Sequence, residues 1–251
     1  MVSTIHPAQQ PTATTPNLLI RPAAERFHSR HGWLDSWHSF SFASHYDPRW
    51  MEFGPLRVIN DDIFGAGGGF GMHPHRDMEI ITVMVEGALK HQDSMGHTGH
   101  LRAGEVQRMT AGTGVIHSEI NDSSEPCRLL QIWLEPQERG LRPEYEQRLF
   151  TVASEWTPLI HPERIDGAMA IRQNAALWRA RPAAGETLQL PATPSAQRWI
   201  QMIDGAMELD LTGSDARTLL RKGDGMGITG PANGSLAAGP EGADLLLFDL
   251  G

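Results

Sequence analysis

His73 and His75 stand two residues apart in the segment GMHPHRDMEI, and Asp77 and Glu79 continue the same spacing. In a β-strand, residues two apart project from one face, so all four side chains are expected on a single wall. A second segment, TAGTGVIHSEI from Thr110 to Ile120, repeats the device with His117 and Glu119. Imidazole and carboxylate donors together suit divalent iron, nickel, cobalt, manganese, copper or zinc. If the two strands face each other, three nitrogens and one oxygen converge and leave coordination positions open, the arrangement of a catalytic ion. A lone His-x-His arises often by chance; two such same-face pairs in one half of a chain do not. Glu79 has three open readings: a ligand, an acceptor that orients an imidazole from behind, or a buried acid.

Strands must hold these residues, and the surrounding sequence supplies them. LRVINDD, IITVMVEG, ALKHQDSMG, HLRAGEVQRMTAG and CRLLQIWLEP read as short strands separated by glycine turns, the rhythm of an all-β barrel or sandwich. The aromatic segment from His31 to Pro48 fits a strand before the Asp47-Pro48 turn, and ERGLRPEYEQRLF reads as a linker, crossover or short helix. The glycine cluster from Gly65 to Gly71 lacks the Gly-Lys-Ser/Thr ending of a phosphate loop and suits a flexible lip beside the histidines. His28, His31, His38 and His45 have no ligand-pair spacing and are expected to be surface or hydrogen-bonded structural residues. Cys127, the single cysteine, lies in an apolar strand and is expected in the core rather than as a nucleophile.

The strand pattern occurs twice. VMVEGALK, from Val83, resembles QMIDGAME, from Gln201, and LRAGEVQRMTAG, from Leu101, resembles LRKGDGMGITGP, from Leu220, at offsets of 118 and 119. Two matched blocks at nearly one spacing indicate a duplicated domain. Projection by these offsets puts Pro191, Thr193, Leu236 and Ala238 opposite His73, His75, His117 and Glu119, so the second copy is expected to be degenerate and metal-free. The expected division is a disordered tail over 1–17, a metal-binding domain over 18–140 and the degenerate copy over 141–251.

A net charge of −9 with no local run of Lys or Arg disfavours a nucleic-acid partner. The N-terminal segment lacks a basic start followed by an apolar stretch, and no apolar run is long enough to span a bilayer. A cytoplasmic protein without a membrane partner is therefore expected.

Gly67, His73, His75 and Glu79 follow the first cupin motif, and Gly104, Gly112, His117 and Asn121 follow the second with two extra residues between Gly112 and His117. TAGTGVIHSE, HPHRDMEI and HQDSMGHTG resemble the pirin family, and HGWLDSWHSFSFA with LRVINDD resembles its bacterial branch described as quercetin 2,3-dioxygenases. The resemblance runs from about Leu18 to Gly251 and implies a bicupin, two facing barrels in one chain with one metal in the first. It implies His73, His75, His117 and Glu119 as ligands, and Glu79 near the site at the general cupin ligand position. Fe(II) is the expected ion. The implied activity is opening of a flavonol heterocycle by dioxygen with release of carbon monoxide, and Glu119 or Glu79 would take the substrate's proton. The family equally implies a regulatory role beside a transcription factor or metabolic enzyme. A chain that already pairs two barrels is expected to be a monomer. Asp77-Met78, where Gly-Phe is frequent in the family, is a departure expected to alter the pocket wall.

Overall fold

The computed structural model of the chain describes residues 16–193, 195–214 and 216–251, and antiparallel strands dominate it. Most of the expected tail, residues 1–15, lies outside the described residues, and Asn17 is already paired. In chain order, β1 (Asn17–Arg21) precedes a hairpin of β2 (Phe27–His31) and β3 (Leu34–His38), followed by the long β4 (Leu56–Phe64). Next come β5 (Gly69–His75), β6 (Glu79–Glu86), β7 (Ala88–Asp93), β8 (Thr98–Arg102) and β9 (Glu105–Thr110). β10 (Val115–Ile120), β11 (Cys127–Leu134), β12 (Glu144–Leu149), β13 (Thr157–Ile160) and β14 (Ala175–Ala180) lead into the second half. It finishes with β15 (Thr187–Gln189), β16 (Gln197–Leu211), β17 (Arg217–Arg221), β18 (Gly225–Thr229) and β19 (Gly234–Leu250). No helix among the described residues is long and apolar enough to cross a membrane.

The first barrel has two walls, a seven-stranded sheet in the order β12-β9-β6-β11-β4-β3-β2 and a four-stranded sheet β5-β10-β7-β8. The second barrel is one continuous sheet, because β16 and β19 run from one wall into the other through register shifts near Gly205. Strand alternation explains how the barrels meet. On β6, Ile80 and Met84 face the interior of the first barrel, while Ile81 and Val83 face the other way. Both faces are buried, which is why IITVMV reads as an unbroken apolar run. Ile81, Val83 and Ile132 pack with Trp199, Leu246 and Phe248 of the second half in one cluster, so the largest core lies between the barrels.

The duplication is visible in the backbone. Gly87 and Gly205 occupy equivalent positions at φ +72° and +71°, the first between β6 and β7 and the second at the irregularity inside β16, and Gly104 and Gly223 occupy equivalent turns at +87° and +82°. The projected ligand positions need one adjustment. His117 pairs with His73, and its counterpart Leu236 pairs with Leu188, so Leu188, not Pro191, stands in for His73. The difference arises because the connection that follows is longer in the second barrel: residues 76–78 join β5 to β6, whereas residues 190–196, with Pro191 and Thr193 among them, join β15 to β16. Leu188 and Leu236 belong to the apolar core of the second barrel.

The expected boundary at residue 140 is crossed twice. β1 hydrogen-bonds β18 of the second barrel, and β12, read from sequence as a linker or helix, extends the first barrel beside β9. An available sheet edge supplies the backbone partners that a solitary helix would have to supply itself, so tertiary pairing overrides local propensity.

Candidate metal centre

β5 and β10 are adjacent and antiparallel, and this places His73 directly opposite His117, with His75 opposite Val115. Inward alternation holds on β10, where Val115, His117 and Glu119 are buried in turn. A β-bulge between His117 and Glu119 shifts the register, so Glu119 faces Phe70, and such irregularities commonly re-aim side chains beside sites. The rings of His73, His75 and His117 have centroids 4.4 to 4.9 Å apart. One ligand atom from each of these three lies within 4.8 Å of the others. Glu119 is brought together instead with His117 and with His91 of β7, again within 4.8 Å. His117 is shared by both groups.

Hydrogen bonds prepare the donors. His73 Nδ1–H donates to the Gly71 carbonyl at 2.7 Å, which leaves the Nε2 lone pair free. Glu119 accepts from Gln131 Nε2 at 2.9 Å, and the Thr82 hydroxyl, which donates to Gln131 Oε1, stands 3.4 Å from its other oxygen. His91 Nε2 lies 3.1 Å from Asp93, whose carboxylate also meets His97 Nδ1 at 3.0 Å. Burial pushes the pKa of His117 down to about 2 and, with His73 beside it, that of His75 to about 4, so both rings are neutral at physiological pH. The same desolvation raises the Glu119 carboxyl to about 7.

The residues present fit a divalent transition metal. His117 is fully buried, and neither of its ring nitrogens has a hydrogen-bond partner among the described residues; His91 Nδ1 is in the same condition. Each such orphaned polar group costs about 1–3 kcal/mol when nothing satisfies it. An ion among neutral imidazoles and one carboxylate would take up the lone pair of one His117 nitrogen and supply the positive charge that a buried Glu119 lacks.

In front of His73 and His75 lies a cavity of about 260 Å³, near the lower end of the range for small-molecule sites. Leu34, Phe42, Phe70 and Trp133 form its apolar wall, and Trp133 meets the His75 ring edge-on at 5.0 Å. Its polar lining, Ser36, His38, Asn60 and Asp62, comes from β3 and β4. Among the described residues, no Lys or Arg lines the cavity.

Residues 21–134 match the family described as Pirin, and residues 159–250 match the quercetinase C-terminal cupin domain. A protein of Escherichia coli strain K12 named quercetin 2,3-dioxygenase is 44% identical over 234 residues, spanning 93% of this chain and 98% of that protein. The chain belongs to the pirin family. The crystal structure of YhhW from Escherichia coli matches this pirin with a TM-score of 0.87 at 43% identity, covering 94% of this chain and 98% of that one. The crystal structure of the bacterial pirin YhhW in complex with nickel(II) matches with a TM-score of 0.86 at 43% identity, covering 93% and 99%.

Of the residues singled out in the sequence of this pirin, His73, His75, His117 and Glu119 share the interior of the first barrel. Asp77 and Glu79 do not. Asp77 sits at φ +47° and ends the strand, and its carboxylate accepts from the Gly140 backbone N–H at 2.7 Å rather than shaping the pocket. Beyond that turn Glu79 opens β6 in the other sheet, where it accepts from the Thr110 hydroxyl at 3.0 Å and the Arg172 backbone N–H at 3.3 Å. Its parity with the histidines is broken by the turn, so it faces the second half of the chain and not the cavity.

Four participants lie beyond what the sequence motifs indicate. His91 belongs to no ligand motif, although Leu89, His91 and Asp93 alternate inward along β7, a pattern visible in ALKHQD. His38, expected to be structural, is hydrogen-bonded as such a residue should be, but it also lines the cavity. Asp62 and Gln131 carry no local signal, because only the pairing of β4 and β11 brings them to this wall. Cys127 is buried as expected, with its thiol pushed up to about 11 by desolvation.

Proposed function

We propose that this pirin is a metal-dependent dioxygenase that opens the heterocycle of a flavonol-like substrate with dioxygen, releasing carbon monoxide. The observation that carries the reading is the cavity itself, lined by aromatic and by hydrogen-bonding side chains, free of Lys and Arg among the described residues, and bordered by His73, His75 and Glu119. An uncharged, flat polyphenol suits such walls, whereas a carboxylated or phosphorylated substrate would find no cationic side chain. The relatives named quercetin 2,3-dioxygenase support the same class of reaction.

His73, His75 and His117 would hold the ion with Glu119, Fe(II) being the expected occupant. When bound, the ion would supply Lewis acidity toward a substrate hydroxyl and redox chemistry toward dioxygen. The chain's own residues do the rest. Trp133 and Phe42, in edge-to-face contact at 5.5 Å, present an aromatic surface against which a ring can lie, and Phe70 and Leu34 help exclude water from the cavity. Glu119, raised toward neutrality, is placed to exchange a proton near the ion, and Gln131 holds its carboxylate in position. Glu79, turned toward the second barrel, has no part in this scheme.

Oxygen consumption and carbon monoxide release with quercetin, measured on iron-loaded protein beside a metal-stripped control, test the proposal. His73→Ala and His117→Ala should each lose metal and turnover together. Full turnover by a demonstrably metal-free double variant would sink it.

A regulatory reading has one feature in its favour. Met72 and Ile116, on the outward faces of the strands that carry the histidines, are 55% and 46% exposed. Metal loading would then alter the outer surface of β5 and β10. Absence of turnover with quercetin and related flavonols, together with metal-dependent hydrogen exchange in these two strands, would favour that role.

A further inference from the structure

A continuous line of hydrogen bonds runs along the polar wall of the cavity. His45 Nε2 lies 3.0 Å from the Ser29 hydroxyl, and that hydroxyl lies 2.9 Å from His38 Nε2. On the far side of the same ring, His38 Nδ1 lies 2.8 Å from Asn60 Oδ1 and 3.3 Å from the Ser36 hydroxyl. Ser36 in turn donates to Asp62 Oδ1. His38, Ser36 and Asp62 are buried, Ser29 and His45 are half-buried, and all but His45 line the cavity.

The bonds have one sense. Asn60 Oδ1 can only accept, so His38 carries its proton on Nδ1 and its Nε2 accepts from Ser29. Ser29, having given its hydrogen to His38, accepts from His45 Nε2–H. Ser36 accepts from His38 and gives its hydrogen to Asp62. Every donor therefore points along the line from His45 toward Asp62.

We infer that His45, Ser29, His38 and Ser36 form a proton relay connecting solvent with Asp62, a second carboxyl in the cavity beside Glu119, which exchanges a proton with a substrate hydroxyl away from the ion. The inference deepens the dioxygenase reading and rests on it for the substrate. In the resting sense, a proton taken up at His45 displaces one proton at each step, and one arrives at Asp62. In the opposite sense, the substrate O–H bond breaks and an O–H bond forms on Asp62. The two serine hydroxyls rotate, His38 exchanges tautomer, and one proton leaves His45 for water. No oxidation state changes along the line, and Asn60 restores the resting sense afterwards.

The surroundings suit a relay rather than a stable charge. Burial holds the pKa of His38 at about 4, and His45, Arg26 and His28 add to its resistance to protonation, against the hydrogen bond to Asn60. Burial likewise raises Asp62 to about 7, helped by Asp61 and Glu119, although Ser36 donates to it. A proton passing through His38 is thus not trapped there.

Two experiments test the relay. On metal-free protein, ¹⁵N spectra of the histidine rings should show His38 neutral with the proton on Nδ1, and Ser29→Ala should slow solvent exchange of that proton by roughly tenfold. A proton on Nε2, or unchanged exchange, overturns the relay whatever the substrate proves to be. On metal-loaded protein with quercetin, Ser29→Ala and His45→Phe should each lower kcat roughly tenfold with KM unchanged, a small part of the ~10²–10⁴ that positioned proton transfer contributes. Added imidazole buffer should restore kcat, which it would not do for a merely structural defect. Unchanged kcat, or a loss that buffer fails to restore, overturns the inference. If the unaltered protein consumes no flavonol, the dioxygenase reading fails, and the ring spectra and exchange rates alone decide the relay.

Discussion

At the scale of single residues, the metal centre depends on groups behind the ligands as much as on the ligands. Among the described residues, Gln131 is the only side chain that donates to Glu119 at ordinary hydrogen-bond length, at 2.9 Å. Gln131→Leu should weaken metal binding roughly 10–100-fold, as loss of a ligand's supporting hydrogen bond commonly does, and competition with a chromophoric chelator would measure it. Unchanged affinity would mean that Glu119 is not a ligand. Glu79 gives a separate prediction about stability. Burial raises its pKa to about 7, above the unfolded value near ~4.3, so the folded state holds this proton more tightly. Its contribution is fully present below the unfolded value and is lost as pH rises through about 7. Glu79→Gln cannot ionise, so relative to the parent it should gain stability between pH 5 and pH 8, by up to roughly 3 kcal/mol. Urea titrations at those two pH values would show the difference, and parallel curves for parent and variant would refute it.

At the scale of the strand, the centre is the meeting of β5 and β10, and Gly69 sets how closely they approach. A Cβ at Gly69 would stand 2.3 Å from the Glu119 carbonyl oxygen and 2.6 Å from Ile120 Cα. Gly69→Ala should therefore push the bulge open, costing about 1–3 kcal/mol in overpacking and lowering metal affinity more than stability alone explains. Chelator competition beside thermal melting would separate the two effects. The same scale explains what could be read in advance. The His-x-His and His-x-Glu pairs were legible because strand alternation is local, and the repeat was legible because its glycine turns recur. Extending that alternation to Glu79 failed at Asp77, whose left-handed backbone ends the strand. The polar wall stayed hidden for a different reason. Ser36 and Asp62 meet only through pairing of β3 with β4, and Gln131 joins them through β11, and no local pattern encodes such partnerships.

At the scale of the whole molecule, the barrels are not separable. β12 completes the first, β1 extends the second, and their common core includes fully buried Trp199. Fragments covering 16–140 and 141–251 should each fail to give a cooperative melt, while the intact chain unfolds in one transition seen alike by tryptophan fluorescence and circular dichroism. Trp199→Ala should cost about 3–5 kcal/mol and destabilise both barrels together. Independent melting of either fragment would refute this coupling. The crossing of β1 also bears on synthesis. Asn17 pairs with Thr229, so the first of the described strands to leave the ribosome waits for one of the last. At ordinary translation rates that interval is roughly ten to forty seconds. Throughout it, the apolar stretch LLI has no native edge to join, which makes the nascent chain, rather than the finished protein, the state most exposed to aggregation.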